Sequence, residues 1–442
     1  MHSDTRYAHS GDVHVAYRTF GSGPPDLVFA PGLEFPSVEF HEENMGAGLD
    51  ELTGRMRLIR FDKRGTGASD RVSGVPSLEE RMDDVRAVLD HLGVERAAVL
   101  GHVDGAALAI LFAATYPERI FALMLYQGKP RFVRAPDFPW APTREEYERQ
   151  TQRWLDDFLD VDAMVRTNLQ VGASSSETAA RERARAQRLT LSPGGLVALR
   201  RMNMDIDVRT VLSSIHVPTL IVHRAVDLED EADTSATDIA HYMASRIPHS
   251  RVLEVPRFGW LPYRELAEFT LDAWEHQAVE RRRVLATVLF TDLVDSTTRA
   301  VESGPGWSSL LEEHNAAIRR ELARFRGETI DTAGDGFFAS GFDGPARAIR
   351  SGRAIVDSVR GLGLEVRAGL HTGEVELAGA AVRGIAVHTG ARVASHAGAG
   401  EVLVSQTVKD LVAGSGIEFE DRGAHELKGI PGEWRLYAVR QS

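Results

Sequence analysis

Apolar and polar positions in the first part of the chain alternate in blocks rather than residue by residue. Short apolar runs, each followed by a glycine-rich turn and a helical pattern, recur from Val13 to about Ala278. A strand that is nearly all apolar is covered on both faces, as the strands of a parallel sheet are. The pattern therefore predicts a parallel α/β sheet. Its predicted strands are Leu27–Ala30, Leu58–Phe61, Ala98–Leu100, Ala122–Leu125 and Leu220–Val222.

The pattern changes twice further along the chain. Between about Pro130 and Val217, helical segments rich in Arg and Glu predict a helical cap inserted into the sheet domain. A charged stretch that ends in three arginines then precedes the apolar run Val284–Phe290, a strong strand signal. These changes predict a first domain over residues 1–278 with its cap at about 130–217, a linker over 279–283 and a second domain over 284–442.

Length and composition limit the class of protein. A chain of 442 residues exceeds what one ordinary core supports, and 43% apolar with 26% charged residues is typical of a folded chain. The 51 Lys and Arg against 64 Asp and Glu give a net charge of −13, which argues against nucleic acid or an anionic membrane as partner and favours a small molecule. Because the chain has no cysteine, no apolar leader and no uninterrupted apolar span, we expect a cytoplasmic protein.

One strand of the first domain leads into a candidate catalytic turn. Ala98–Leu100 is followed by Gly101–Ala106 and an apolar helix, the context of a nucleophile elbow, whose strained turn exposes its third residue above the sheet. With Phe29–Gly32 placed as an oxyanion loop and the turn Phe61–Ser69, roughly the first 275 residues resemble the α/β-hydrolase family with a helical cap. The third elbow residue here is Val103, whose isopropyl group cannot attack a carbonyl.

The resemblance to α/β-hydrolases also implies where the rest of a catalytic triad would lie. Trp260 stands where the general base His is expected, whereas Asp227 keeps the residue type of the acid. Loss of nucleophile and base removes the covalent step and the proton transfer, so we expect no hydrolysis by this mechanism. Two interpretations of the domain stay open: a pocket for a small-molecule effector that regulates the second domain, or a packing and dimerisation module.

The second domain carries two aspartates in positions that suit metal binding. Asp292 ends the apolar run that starts at Val284, and Asp335 lies between glycines and between two strand-like runs, as in a hairpin. Neighbouring strands lie about 5 Å apart, so two such carboxylates can face one another and hold a pair of divalent cations. Oxygen ligands without cysteine favour Mg²⁺ or Mn²⁺.

Five motifs of the second domain occur in a characteristic order. They are Phe290–Thr297, Ala333–Ala339, Arg367–Glu374, Gly384–Arg392 and Asp421–Gly429. In order and spacing these motifs resemble class III nucleotidyl cyclases over residues 284–442, which implies an α+β, ferredoxin-like domain. The whole chain resembles the mycobacterial-type cyclases that carry an α/β-hydrolase-like domain in front.

The resemblance to class III cyclases implies roles for single residues. It makes Asp292 and Asp335 the ligands of both metal ions. Arg392 matches the arginine that stabilises the transition state, and Lys428 matches the lysine that contacts the terminal phosphates of a nucleoside triphosphate. His388 stands where most of the family has an asparagine that orients the ribose, so we expect reduced rather than lost activity. In this family one site draws its aspartates and its arginine from different subunits, which implies a homodimer with composite sites.

Base recognition departs from the family pattern. Adenine-selective members have Lys and Asp where this chain has Asp331 and Ala381. A carboxylate at position 331 can accept hydrogen bonds from adenine, guanine or uracil, and guanylate-selective members place Glu there. ATP is the expected substrate by family frequency, with GTP or a pyrimidine nucleotide as alternatives. A non-catalytic sensor of nucleotide or of another ligand is the alternative from a different class.

Overall fold

The computed structural model describes two compact units, Met1–Glu280 and Arg281–Ser442. The residues that it describes are 4–33, 35–40, 48–170, 174, 176–225, 234–256, 261–276, 283–296, 299, 306–333, 336–378 and 381–440. Each unit has its own sheet and its own buried core.

The first unit is built on an eight-stranded mixed sheet with the strand order β1-β2-β4-β3-β5-β6-β7-β8. The first two strands pair antiparallel, and β2 pairs antiparallel with β4, whereas the strands from β4 to β8 are parallel. All five strands predicted from apolar runs are present, in β3 to β7. The strands are β1 (Arg6–Ser10), β2 (Val13–Phe20), β3 (Asp26–Ala30), β4 (Arg57–Phe61), β5 (Ala97–His102), β6 (Ile120–Tyr126), β7 (Thr219–Arg224) and β8 (Ser250–Val255).

Helices cover this sheet and fill the segment between β6 and β7. Helix α3 is buried along almost its whole length, as expected for an apolar helix next to a central strand. Helix α4 begins at a capping box in which Thr143 and Glu146 satisfy each other's backbone N–H groups. The helices are α1 (Leu49–Thr53), α2 (Leu78–His91), α3 (Gly105–Thr115), α4 (Arg144–Leu159), α5 (Val161–Gln170), α6 (Glu177–Thr190), α7 (Pro193–Asn203), α8 (Thr234–Ala244) and α9 (Tyr263–Glu275).

The second unit contains another sheet, with the strand order β10-β11-β9-β12-β14-β16-β15 and β13 paired to β12. Its centre is the long antiparallel pair of β9 and β12, whose register sets Asp292 opposite Arg367. The predicted strand Val284–Phe290 lies within β9. The strands are β9 (Arg283–Leu293), β10 (Glu328–Ala333), β11 (Gly336–Ser340), β12 (Val366–Ala378), β13 (Ala381–Arg383), β14 (Val402–Ser405), β15 (Phe419–Glu426) and β16 (Glu433–Val439).

The helices of the second unit pack their apolar faces on this sheet. The main core joins Leu289 and Leu370 of the two central strands to Ile318 and Ile349 of helices α10 and α11. The helices are α10 (Trp307–Arg324), α11 (Pro345–Arg360), α12 (Ile385–Ser395) and α13 (Gln406–Leu411). Throughout the part of the chain that the structure describes, no helix combines the length and the apolar character that crossing a membrane requires.

Candidate functional site

The first unit keeps the backbone of a nucleophile elbow. Val103 joins β5 to α3 with a φ of 50°, and its N–H donates to the carbonyl of Tyr126 at 3.0 Å. A positive φ is a genuine outlier for a β-branched residue, because its side chain crowds the backbone in the left-handed region. The strained turn predicted from the sequence is therefore present, and it displays a side chain without nucleophilic chemistry.

Two glycines allow this turn to pack tightly. A Cβ atom on Gly105 would lie 2.2 Å from the carbonyl oxygen of Ala30, and one on Gly101 would lie 2.6 Å from the Cα of Ala106. Both distances are far inside van der Waals contact, so neither position admits a side chain without a shift of the backbone. The two glycines thus allow the turn to pack closely against β3 and the start of α3.

The side chain of Asp104 accepts a hydrogen bond from a backbone N–H that a hydrolase would use in its oxyanion hole. In α/β-hydrolases one oxyanion-hole donor is a backbone N–H in the loop after the third strand. Here the N–H of Leu33, in the loop after β3, donates to Asp104 Oδ1 at 2.7 Å. Lys63 Nζ lies 3.4 Å from Asp104 Oδ2 and donates to the carbonyl of Pro31 at 3.0 Å. Both charged side chains are buried, so the Leu33 N–H is already hydrogen-bonded to Asp104 inside the protein.

No local pattern in the sequence signals this contact. Leu33 and Asp104 are 71 residues apart, and an acidic residue after the elbow is expected to point away from the turn. Of the three positions compared with a catalytic triad, the structure describes Val103 only. Asp227 and Trp260 lie outside the described residues.

A cavity of about 490 Å³ lies against the elbow of the first unit. Val103 and His102 line it from the sheet, and residues of α4 to α7 line it from the other side. Burial lowers the pKa of His102 to about 3, and the positive charges of Arg183, Arg224 and Lys63 act in the same direction. His102 is therefore neutral at pH 7, in a pocket with positive surroundings.

In the second unit, Asp292 lies at the end of β9 with its side chain 42% exposed. Arg367 on β12 lies directly opposite and donates two hydrogen bonds to Asp292 Oδ2, one from Nε at 3.0 Å and one from a terminal nitrogen. Among the described residues, no group donates a hydrogen bond to Oδ1. One oxygen of this carboxylate is thus held by Arg367, and the other faces away from it.

The predicted hairpin lies beside this carboxylate. Strands β10 and β11 pair antiparallel up to Ala333 and Gly336, and Phe337 of β11 pairs with Thr291, the residue before Asp292. The stacked rings of Phe290 and Phe338, with centroids 4.6 Å apart and planes at 1°, fix the two strands side by side. Asp335, the second predicted metal ligand, lies outside the described residues.

The two residues at the positions where class III cyclases recognise the base, Asp331 and Ala381, lie on β-strands. Asp331 is exposed on β10, and its Oδ1 accepts a hydrogen bond from the N–H of Thr332 at 2.8 Å. The other oxygen is left for a ligand as far as the described residues are concerned. Position 381 begins β13, and the structure describes its backbone but not the side chain of Ala381.

His388 and Arg392 lie on one exposed face of α12. Their spacing of four residues places them one turn apart, and Ile385 extends the same face with 59% of its surface exposed. The opposite face packs on the sheet, where Gly390 lies against Val288 and Phe290. This helix therefore presents its two functional candidates to solvent.

Lys428 is also exposed, in the turn between β15 and β16. In the described parts of the chain, no hydrogen bond or ion pair joins His388, Arg392 or Lys428 to Asp292 or Asp331. The described site residues thus lie on different elements of the chain: Asp292 and Asp331 on β9 and β10, His388 and Arg392 on α12, and Lys428 in a turn.

Comparison with known proteins defines both units. Residues 25–216 match the model of the alpha/beta hydrolase fold, and residues 279–441 match that of the adenylate and guanylate cyclase catalytic domain. The chain therefore joins an α/β-hydrolase fold to a class III adenylate/guanylate cyclase catalytic domain. Both folds agree with those expected from the sequence.

Single relatives match one unit each. Pimeloyl-acyl-carrier-protein methyl ester esterase of Nitrosomonas europaea is 29% identical over 268 residues, which cover 58% of this chain and 95% of that protein. An esterase from Exiguobacterium antarcticum is similar in fold, with a TM-score of 0.50 and 21% identity over 61% of this chain and 98% of that one. The adenylyl cyclase CyaB from P. aeruginosa covers 37% of this chain and 97% of its own, with 21% identity and a TM-score of 0.35.

Proposed function

We propose that the second unit cyclises a nucleoside triphosphate, with ATP as the substrate, to the 3′,5′-cyclic monophosphate and pyrophosphate. The observation that carries this proposal is the half-exposed Asp292 carboxylate beside the β10–β11 hairpin, within a cyclase catalytic domain. The elbow of the first unit carries Val103 in place of a nucleophile, and the Leu33 N–H is hydrogen-bonded to Asp104, so we assign the chemistry of the chain to the second unit.

The surroundings of Asp292 fit a divalent cation. Its Oδ1 accepts no hydrogen bond from a described residue, and carboxylate oxygen is the ligand type that Mg²⁺ and Mn²⁺ prefer. Asp292 and Asp335 would hold two such ions. When bound there, the ions supply a lowered pKa for the ribose 3′-hydroxyl and positive charge beside the leaving pyrophosphate.

The chain's own residues orient and neutralise the substrate. Arg392 is proposed to donate hydrogen bonds to the α-phosphoryl oxygens as negative charge develops in the transition state, for which a planar guanidinium is well suited. His388, one turn away on the same face of α12, donates to the ribose. Lys428 neutralises the terminal phosphates. Arg367 holds Asp292 Oδ2 and so fixes the direction in which Oδ1 points.

We infer that the catalytic form is a homodimer. Within one chain, Arg392 and His388 are exposed on α12 and make no ion pair with Asp292 among the described residues, which supports a site that a second subunit completes. A second copy arranged head to tail would bring α12 of one subunit to the carboxylates of the other.

The side chain of Asp331 bears on which base the site prefers. The free Asp331 oxygen can accept from the amino group of adenine, but it accepts equally from guanine or uracil, so GTP and pyrimidine nucleotides stay as candidates. The first unit is proposed to act as a regulatory or structural module for the cyclase. A non-catalytic protein that senses nucleotide or another ligand is the second candidate.

The test is product formation from each nucleotide. The purified chain is incubated separately with ATP, GTP, CTP and UTP plus Mn²⁺, and 3′,5′-cyclic products are identified by mass spectrometry. We expect cyclic AMP from the wild type and none from Asp292→Ala. Asp357→Ala is the matched control, because Asp357 is an exposed, ion-paired carboxylate on α11. A protein shown to be dimeric that makes no product from any triphosphate would leave the sensor as the function.

A further inference from the structure

The cavity of the first unit has a largely apolar lining. Phe35, Phe158 and Leu196 are among the apolar side chains around its volume of about 490 Å³, and Trp154, which also lines it, has 42% of its surface exposed. Ligand pockets are commonly of this size and lined in this way, with a few polar groups that fix the orientation of the ligand. The cavity therefore has room for a small molecule with an apolar body.

Two neighbouring strands end in strained residues that form the floor of this cavity. Val103 follows β5 with a φ of 50°, Gln127 follows β6 with a φ of 51°, and both residues line the cavity. The N–H of Gln127 donates to the carbonyl of Val222 on β7 at 2.8 Å. A left-handed backbone is unfavourable for residues other than glycine and often occurs where a protein holds a ligand. Ligands of α/β sheets also bind at the carboxyl ends of the strands, so this floor is well placed for binding.

Asn168 is the polar side chain of the cap that best suits contact with a ligand. It lies on α5, lines the cavity and is only 5% exposed. Its Nδ2 donates to Gln187 Oε1 at 3.1 Å, which holds the amide in one orientation. Among the described residues, no group donates a hydrogen bond to Asn168 Oδ1. A buried amide oxygen without a donor costs free energy, so an O–H group of a ligand would be stabilised there.

The charged groups close to the cavity already have partners in the protein or in water. Lys63 Nζ lies 3.4 Å from Asp104 Oδ2, and Arg224 donates from Nε to a tyrosine hydroxyl at 2.7 Å. Arg183 is 5% exposed and lies 5.5 Å from the centre of a phenylalanine ring. Asp157 of α4 lines the cavity but is exposed, so water solvates its charge. A charged ligand would give up its hydration to enter this space and would find counter-ions that are already engaged, which disfavours it against an uncharged one.

We propose that this cavity binds an uncharged, largely apolar alcohol, whose hydroxyl group donates to Asn168 Oδ1 and whose apolar body lies over the floor formed by Val103 and Gln127. A hydroxyl group supplies a hydrogen-bond donor without a charge, and burial of the rest of such a molecule against the apolar lining is favourable. Binding of this kind is independent of the cyclase activity proposed for the second unit.

The first experiment compares four probes on the unmodified full-length protein, by calorimetry and by the tryptophan fluorescence to which Trp154 contributes. Octan-1-ol, octanoate and octylammonium share one chain and differ in head-group charge, and 1-methoxyheptane is an isomer of octan-1-ol that accepts hydrogen bonds but cannot donate them. We expect octan-1-ol to bind at least about ten-fold more tightly than both charged probes and about three- to ten-fold more tightly than the ether. A charged probe that binds as tightly as octan-1-ol, or no binding of octan-1-ol by folded protein, overturns the proposal.

The variant Asn168→Leu removes the acceptor and keeps a side chain of similar size. We expect it to weaken octan-1-ol binding about three- to ten-fold and to leave 1-methoxyheptane binding unchanged, because the ether makes no hydrogen bond to Oδ1 in the wild type. Gln170→Leu is the matched control, because Gln170 is an exposed amide on the same helix α5. A wild type that binds the alcohol and the ether equally, or an Asn168→Leu protein that keeps the full preference for the alcohol, overturns the assignment.

Filling the cavity gives a second test, which decides if Asn168→Leu fails to fold. Val103→Phe places a larger side chain on the floor and should weaken the binding of octan-1-ol and 1-methoxyheptane alike, by about ten-fold or more, because a close-packed interior has no other space for them. Unchanged binding of both probes by folded Val103→Phe would show that they bind elsewhere and would overturn the site. A protein that binds octan-1-ol as expected but forms no cyclic product contradicts the proposed function of the second unit and keeps this site.

Discussion

The backbone N–H of Leu33 donates to the carboxylate of Asp104 at 2.7 Å, at the place where a hydrolase of this fold would bind the oxygen of a tetrahedral intermediate. A carboxylate bound there uses the donor and repels a developing oxyanion at the same time. We therefore expect hydrolase chemistry in the first unit to be hindered at the oxyanion site as well as by Val103 in place of a nucleophile.

We predict that restoring the nucleophile alone does not restore esterase activity. Wild type and Val103→Ser are both expected to hydrolyse p-nitrophenyl butyrate no faster than boiled protein, because the Leu33 N–H stays hydrogen-bonded to Asp104 and the sequence has Trp260 at the position expected for the general base. The rate of p-nitrophenyl butyrate hydrolysis, measured for both proteins and for boiled protein, checks this. Robust turnover by the wild type that Asp227→Ala abolishes would contradict it.

Shared active sites can be tested by mixing two inactive variants. Asp292→Ala and Arg392→Ala remove groups that the proposed dimer takes from different subunits, and loss of Arg392 alone is expected to lower kcat by about 10²- to 10³-fold. After subunit exchange, the mixture should recover about a quarter of wild-type activity, since half of the dimers are mixed and each has one intact site of two. Each variant incubated alone is the control. Absence of recovery under conditions where exchange is demonstrated would refute composite sites.

Packing at the elbow predicts a stability effect. Gly105→Ala places a methyl group 2.2 Å from the Ala30 carbonyl oxygen, so the strand and helix must move apart. Overpacking of this kind is expected to lower the free energy of unfolding of the first unit by about 1–3 kcal/mol. Urea unfolding followed by circular dichroism measures it. Gly194→Ala is the control for residue type, because Gly194 lies in the first turn of α7, as Gly105 lies in that of α3, and a Cβ there meets nothing within 4 Å. If Gly105→Ala costs no more than Gly194→Ala, the close approach is not limiting.

A buried histidine makes the second unit sensitive to acid. Burial lowers the pKa of His371 to about 4, and its Nδ1 lies 2.8 Å from the hydroxyl of Ser405. The unfolded chain takes up the proton near pH 6.5, whereas the folded chain does so only near pH 4, so stability falls as the pH falls through this window. The contribution of this residue to the slope is at most about 1.4 kcal/mol per pH unit.

The variant His371→Gln isolates that contribution. It is expected to lower the free energy of unfolding at pH 7.5 and also to make its decline between pH 6.5 and 4.5 less steep, because glutamine does not titrate. Urea titrations at several pH values compare the two slopes. Equal slopes for wild type and variant would show that His371 is not the group that titrates.

The sequence predicted the elements that depend on neighbouring residues. The alternation of apolar runs and turns located strands β3 to β7, and the Asp-Gly turn located the hairpin between Ala333 and Gly336. Contacts between distant segments were not predictable, because no local pattern reports them. The bond from Leu33 to Asp104 and the pairing of Arg367 with Asp292 span 71 and 75 residues, and both change what the nearby side chains can do.

The exposed face of α12, formed by Ile385, His388 and Arg392, has a consequence for how the activity per molecule depends on protein concentration. If these residues serve the site of a second copy, a separated subunit holds no complete site, and rate per molecule falls on dilution in proportion to the fraction of dimer that survives. The cell would then set cyclic nucleotide output through expression level more steeply than in direct proportion, because doubling a scarce protein more than doubles its paired form.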